Sequence, residues 1–201
     1  MNKPELILAT GNPGKVKEIR ALCEDIPVTI LSLKDLWREV PDIPETGSTF
    51  EENARLKAQW VFSRRGTWTL ADDSGLEVEA LDGEPGIYSS RYAGEECDDA
   101  KNLHKLLSHL EGVAVEKRRA RFRCVMCLVG PDNFDKTVSG ICKGTIACEP
   151  QGTNGFGYDP VFIPEGYETT FARMKQSIKN SISHRGRALS AVKEELYELF
   201  R

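Results

Sequence analysis

Four apolar residues, Leu6, Ile7, Leu8 and Ala9, run straight into Thr10-Gly11-Asn12-Pro13-Gly14-Lys15, and the apolar residues beyond, Val16, Ile19, Cys23 and Ile26, recur at helical spacing. A short apolar run ending at glycine reads as a buried strand. Asn at the N-cap and Pro at the first helical position then start a helix. A strand that turns directly into a helix commits a chain to α/β packing. Later segments keep to that pattern. Val28 to Leu31 reads as a second strand, and Ser48-Thr49-Phe50-Glu51 as a capping box that opens a helix to about Arg65, with Phe50, Ala54, Ala58 and Val61 on its apolar stripe. Thr67 to Ala71 is predicted as a strand that delivers Asp72-Asp73-Ser74-Gly75 at its end, and Asp98 to Leu110 as a helix. Ala120 to Val129 and Lys136 to Cys148 read as two long strands around the turn Gly130-Pro131-Asp132-Asn133. Ala188, Leu189, Val192, Leu196, Leu199 and Phe200 share one face of a last helix, with Ser183 at its N-cap.

Composition excludes several classes. At 201 residues the chain has the length of one domain. Its longest apolar run is the six residues Cys124 to Val129, far below the roughly 18 that a membrane helix needs. A balance of 27 basic and 31 acidic residues, net −4, argues against stable nucleic-acid binding. Lys117-Arg118-Arg119, with Arg121 and Arg123 alternating onto one side, reads as a solvated face of an edge strand. Lys3 precedes an apolar stretch too short for a secretory signal, so a cytoplasmic location is expected, with the six cysteines reduced and buried. Cys124 and Cys127 fall on opposite faces of one strand, which disfavours zinc, and His104 and His109 are ordinary helix residues.

Chemistry concentrates in four clusters that break structural rules. Thr10 to Lys15 joins a strand to a helix start, where free N–H groups and the positive helix end suit an anion and Lys15 adds a point charge. The alternative is a plain capped turn. It is not a Walker A loop, which has four residues between Gly and Gly-Lys and then Ser or Thr. Lys57 falls within about 20° of Phe50 around its helix, inside the apolar stripe, with Asn53 bordering the same face. It either meets a ligand anion or snorkels to water. Asp72 and Asp73, with Glu45, are oxygen ligands suited to Mg²⁺, although Asp, Ser and Gly also simply favour turns. Asp73-Ser74-Gly75 is no aspartic protease signature, because Asp72 stands where such enzymes place an apolar residue. In Gly155-Phe156-Gly157-Tyr158-Asp159-Pro160 the glycines free an aromatic face to stack on a base. Lys179, His184 and Arg185 oppose the dipole at a helix start, which a bound anion or a base acceptor would explain, and Arg addresses purine O6 and N7. An exposed basic corner is the alternative.

Together these segments resemble the inosine triphosphate pyrophosphatase family, also called XTP/dITP diphosphatases. The likeness rests on Leu8 to Lys15, Glu45-Thr46-Gly47, Glu52-Asn53-Ala54, Leu56-Lys57-Ala58, Ala71 to Leu76, Pro85 to Ser89, Gly155 to Pro160 and Ser183 to Gly186. It implies an ITPase-like (Maf/Ham1-type) α/β fold: one domain spanning 1–201, two-lobed around a long mixed β-sheet flanked by helices, with a central substrate cleft. It also implies a homodimer and Mg²⁺-dependent hydrolysis of ITP, dITP and XTP to the monophosphate and pyrophosphate. Transferred onto matching positions, Thr10, Gly11, Asn12, Pro13, Gly14, Lys15, Lys57 and Lys179 hold phosphates. Glu45 and Asp73 bind Mg²⁺ with Asp72 beside them, Asp73 is the proton acceptor, and Ser74 touches substrate. Phe156, Gly157, Tyr158, Asp159, His184 and Arg185 frame the purine. The first turn departs from the sister Maf group, which carries a Ser-rich and Arg-rich segment there. A nucleotide-binding module without turnover is the competing function; it would tolerate loss of Glu45 and Asp73, and both are present.

Overall fold

Strand β1 (Glu5–Leu8) leads into helix α1 (Pro13–Leu22) in the computed structural model, which describes residues 3–200. Asn12 caps the helix: its side chain accepts from the N–H of Gly14 at 2.8 Å and of Lys15 at 3.2 Å. Strand β2 (Thr29–Ser32) follows, then the one-turn helix α2 (Leu33–Leu36), where Asp35 accepts from both N and Oγ of Ser32 at 2.7 Å. Helix α3 (Phe50–Arg65) is capped by Thr49, one residue later than the Ser48 reading. Thr49 Oγ1 accepts from Glu52 N, and Glu52 reaches back to the N and Oγ of Ser48. Both Ser48–Glu51 and Thr49–Glu52 fit the capping pattern. The later register makes Phe50 the first helical residue with its ring buried.

Strand β3 (Thr69–Val78) corrects a larger reading. It does not end before the acidic pair but carries Asp72, Asp73, Ser74 and Gly75 in its middle. Helix α4 (Asp99–His109), capped by Asp98, and strands β4 (Arg119–Gly130) and β5 (Phe134–Ile146) match expectation. Asp132 and Asn133 turn the β4–β5 connection with φ of 54° and 59°. Strand β6 (Phe162–Pro164), helix α5 (Gln176–Ile182) and helix α6 (His184–Phe200) complete the chain. Among the described residues six strands form one mixed sheet in the order β2-β1-β3-β4-β5-β6, with β1 parallel to both β2 and β3, and with β5 antiparallel to β6. Because β4 lies between β3 and β5, Arg119 and Arg121 are not on an edge strand; Arg121 pairs with Glu77, a β3 residue. Arg118 is buried, donating to the carbonyls of Leu110, Val113 and Ala147.

Two compact units divide the contacts. The first comprises residues 1–73, 124–140 and 185–201, the second 74–123 and 141–184. The first unit's core joins Leu6 and Leu8 of β1, Ile19 and Cys23 of α1, Cys124, Met126 and Leu128 of β4, and Ala188, Leu189, Val192, Leu196 and Phe200 of α6. The predicted face of the last helix is therefore the face that is buried. The second unit packs Leu76 and Val78, Leu106 and Leu110, Phe122, Ile146, Phe162 and Phe171 together. Phe122, Phe162 and Phe171 meet with ring centroids 4.6–6.1 Å apart, the range in which aromatic pairs attract. The six cysteines form no disulfide; Cys23, Cys124, Cys127 and Cys142 are buried, while Cys97 and Cys148 are exposed rather than buried as expected. Among the described residues, no helix is long and apolar enough to cross a membrane.

Candidate active site

Strand alternation decides what the two adjacent aspartates do. Successive side chains point to opposite faces of a sheet, so Asp72 and Asp73 on β3 serve different neighbours. Asp72, 1% exposed, receives Lys15 Nζ at 3.1 Å and Arg185 Nη2 at 3.3 Å on Oδ2, with the Cys124 thiol at 4.0 Å from the same oxygen. The Arg185 guanidinium also pairs with Glu18 of α1. Asp73 faces α3: its Oδ1 lies 3.3 Å from Lys57 Nζ, and Lys57 reaches Glu45 Oε1 at 2.6 Å. Asp73 Oδ2 is buried and has no hydrogen-bond partner among the described residues.

These contacts pull the two carboxyls apart electrostatically. Burial raises the Asp73 carboxyl above its ordinary value, and the nearby Lys57 and Lys15 charges only partly oppose it. Burial would raise Asp72 as well, but Lys15, Arg185 and Lys57 outweigh it and hold that carboxyl well below the usual carboxylate range. Lys57 loses from burial and gains more from Asp73, Glu45 and Asp72, so its ammonium is held above its ordinary value. A raised and a lowered carboxyl side by side suit one proton acceptor and one fixed anion.

The loop before α3 is fastened to that helix. Asn53 Oδ1 accepts from Gly47 N at 2.8 Å, and a Cβ on Gly47 would come within 2.6 Å of Glu52 Cβ and 2.8 Å of Asn53 Oδ1. Glycine is therefore required there, and the anchored loop presents Glu45 to Lys57 one turn beyond Asn53. The Thr10 to Lys15 turn is less open than its sequence suggests. Asn12 N donates to Thr10 Oγ1, and the N–H groups of Gly14 and Lys15 donate to Asn12 Oδ1, while Pro13 has none. The cation that this turn supplies to the buried cluster is the Lys15 side chain.

Within the second unit Lys179 and Asp159 form a latch. Lys179 is 3% exposed and its Nζ lies 2.6 Å from Asp159 Oδ2, which also accepts the Phe156 N–H at 2.9 Å. Lys179 is expected at phosphates from sequence; here it holds the Gly155 to Tyr158 loop through Asp159. Gly155, at φ 81°, sits so close that a Cβ would lie 1.9 Å from Asp159 Oδ2. Phe156 is half-buried, with Lys179 Nζ 5.2 Å from its ring centroid, whereas Tyr158 is buried with its hydroxyl donating to Ser89 O. Tyr158 therefore props the loop rather than offering a face. Gly157 N donates to Asp99 at the start of α4. His184 is buried and stacks on Phe122 at 4.6 Å and 12°. Arg185, expected at the purine from sequence, is 2% exposed and pairs with Glu18 and Asp72 within the first unit. Ser74 begins the second unit, half-buried on β3.

Glu18, Cys124 and Arg185's role on Asp72 escaped the sequence reading. Glu18 carries a visible signal, one helical turn from Lys15; Cys124 reads as a small apolar core residue and carries none. For a metal, Glu45 and Asp73 supply the hard oxygen donors that Mg²⁺ takes, and the buried Asp73 Oδ2 is a donor without a partner, while Asp72 on the other face of β3 is held by Lys15 and Arg185. Among the described residues no three acidic, His or Cys side chains close on one point by themselves. The set fits a cation whose remaining ligands come from waters and substrate phosphates.

The Ham1 family matches residues 6–195 of the chain. A dITP/XTP pyrophosphatase of Bacillus licheniformis is 51% identical over 92% of this chain and 94% of its own length. One from Bacillus subtilis is 46% identical over 96% of each. Among solved structures, the Ham1 protein of Staphylococcus aureus is similar with a TM-score of 0.85 at 41% identity, covering 97% of this chain and 99% of its own. The nucleoside-triphosphatase / dITP/XTP pyrophosphatase of Mycobacterium abscessus is similar with a TM-score of 0.75 at 42% identity, over 94% and 98%.

Proposed function

The chain belongs to the Ham1 family, and from that premise we propose that it is a dITP/XTP pyrophosphatase. It hydrolyses deaminated purine nucleoside triphosphates, dITP, XTP and ITP, to the monophosphate and pyrophosphate, clearing them from the nucleotide pool. The observation that carries the reading is the cluster of buried Lys57, Asp72 and Asp73 with half-buried Lys15 and Glu45, where cations and carboxylates lie in contact and Asp73 keeps one unpartnered oxygen. A polyphosphate and its counter-cation need both signs of charge at one place.

In this reading water attacks the α-phosphorus and pyrophosphate leaves. Asp73, the carboxyl raised by burial, accepts the proton of the attacking water. Lys15 and Lys57 stabilise charge developing on the phosphate oxygens, in a buried setting where such contacts count for more than in water. Glu45 and Asp73 would hold Mg²⁺, which when bound neutralises phosphate charge and favours the leaving group. Asp72 keeps Lys15 in place from its own face of β3. The Phe156 ring stacks on the base, the backbone from Gly157 to Asp159 lies along it, and His184 supports recognition of the 6-oxo group. Lys179 acts on this loop through Asp159. Homodimerisation and a cytoplasmic location are part of the same proposal, and sedimentation of the purified chain tests the first.

The deciding experiment measures pyrophosphate release from the common and the deaminated triphosphates, with and without Mg²⁺. Release from dITP and XTP that depends on Mg²⁺ and far exceeds that from dATP and dGTP is the expected result. Asp73→Asn is expected to lower kcat about 10²- to 10⁴-fold in a folded protein, the usual weight of a proton acceptor. Near-normal turnover by that variant would remove Asp73 from the reaction.

A further inference from the structure

Lys57 stands where two acidic side chains converge. Its Nζ is 2.6 Å from Glu45 Oε1 and 3.3 Å from Asp73 Oδ1, and its side chain is 8% exposed. The contact is built from both sides: Gly47, two residues after Glu45, is fixed by Asn53, and Lys57 follows Asn53 by one turn of α3. A divalent cation bound by Glu45 and Asp73 takes oxygens at about 2.0–2.1 Å for Mg²⁺. The same oxygens cannot hold an ammonium and a dication at contact distance without strong repulsion between the two.

We propose that Lys57 is an internal competitor for the divalent cation, holding Glu45 and Asp73 until a phosphate draws its ammonium away. The inference rests on the reading above that Glu45 and Asp73 are the cation's ligands. Its physical logic is compensation of buried charge. A carboxylate stripped of its partner in the interior is strongly destabilising, and an ammonium stripped of its own is equally so. Entry of phosphate and cation together gives Lys57 an anion and the carboxylates a cation in one exchange. Entry of the cation alone would leave Lys57 buried beside it. The protein therefore takes up the cation with the nucleotide rather than before it, and Asp73 Oδ2, the oxygen Lys57 does not reach, is the cation's first free contact.

Binding of Mn²⁺ to the protein without nucleotide, followed by electron paramagnetic resonance, tests this. Wild type is expected to bind weakly at this site, Lys57→Met on the order of tenfold or more tightly, and Lys57→Arg like wild type because the charge remains. Adding Glu45→Gln to Lys57→Met is expected to return the affinity to the wild-type level. Lys57→Gln carries the same expectation as Lys57→Met and replaces it if circular dichroism shows the Met variant unfolded. Equal or weaker Mn²⁺ binding by the neutral variants overturns the proposal. Wild-type pyrophosphate release from dITP is measured alongside; its failure would overturn the functional reading, while the Mn²⁺ comparison concerns the site's own charges.

Discussion

The two units treat buried charge differently. In the first, charges are shared: Asp72 receives both Lys15 and Arg185, and Lys57 bridges Glu45 and Asp73. In the second, Lys179 closes on Asp159 at 2.6 Å, and the same carboxylate oxygen holds the Phe156 N–H. A shared pair can exchange partners when a charged ligand enters, because no group is left bare. A pair whose oxygen also fastens the backbone cannot part without loosening the loop. The same residue types thus build an exchangeable site in one unit and a latch in the other.

The strongest way to break this contrast is to remove one cation from each. Lys179→Met leaves Asp159 buried without its ammonium and is expected to cost about 3–5 kcal/mol in urea unfolding. Lys15→Met removes a lysine that is 14% exposed in its side chain and leaves Asp72 with Arg185; it should cost clearly less. Equal losses would erase the distinction. Asp72→Asn comes next, at about 1–3 kcal/mol near neutral pH, since Lys15 and Arg185 lose a charged acceptor. Its pH dependence sharpens the case. Asp72 has a depressed folded value, so its stabilisation is present above the unfolded value of 3.8 and is lost as pH falls from there toward the folded value. Asp72→Asn should therefore lose stability less steeply than wild type between about pH 4 and pH 2. The smallest effect is expected from Phe156→Ala, which leaves Asp159 and Lys179 together. Removing one stacking face should raise KM for dITP about tenfold and leave thermal stability nearly unchanged.

What was legible in the sequence was local. Asn12 and Pro13 specify a helix start through atoms within three residues, and the structure has that start. The apolar face of the last helix and the place of Lys57 on its stripe follow from helical period alone. The failures are non-local. Asp72-Asp73-Ser74-Gly75 has turn composition, yet β3 continues through it because its carboxylates find Lys15, Lys57 and Arg185 from segments far along the chain. Alternating arginines identified a strand in β4 but not its neighbours, and position in a sheet is set by β3 and β5 rather than by β4 itself. Arg185 follows the same rule: chemistry alone pairs an arginine with a purine as readily as with a carboxylate, and only the fold places Glu18 and Asp72 around it.

The thiols give this chain a gauge of its own opening. Cys97 and Cys148, both in the second unit, are exposed, whereas burial pushes Cys23 and Cys124 up to about 12 and Cys127 up to about 11. Thiolates are the species that react, so a thiol dye at neutral pH tags the second unit while the first stays dark. The count rises from two toward six as the fold comes apart. Cys124, lying against Asp72, lights up when the charged cluster itself is breached.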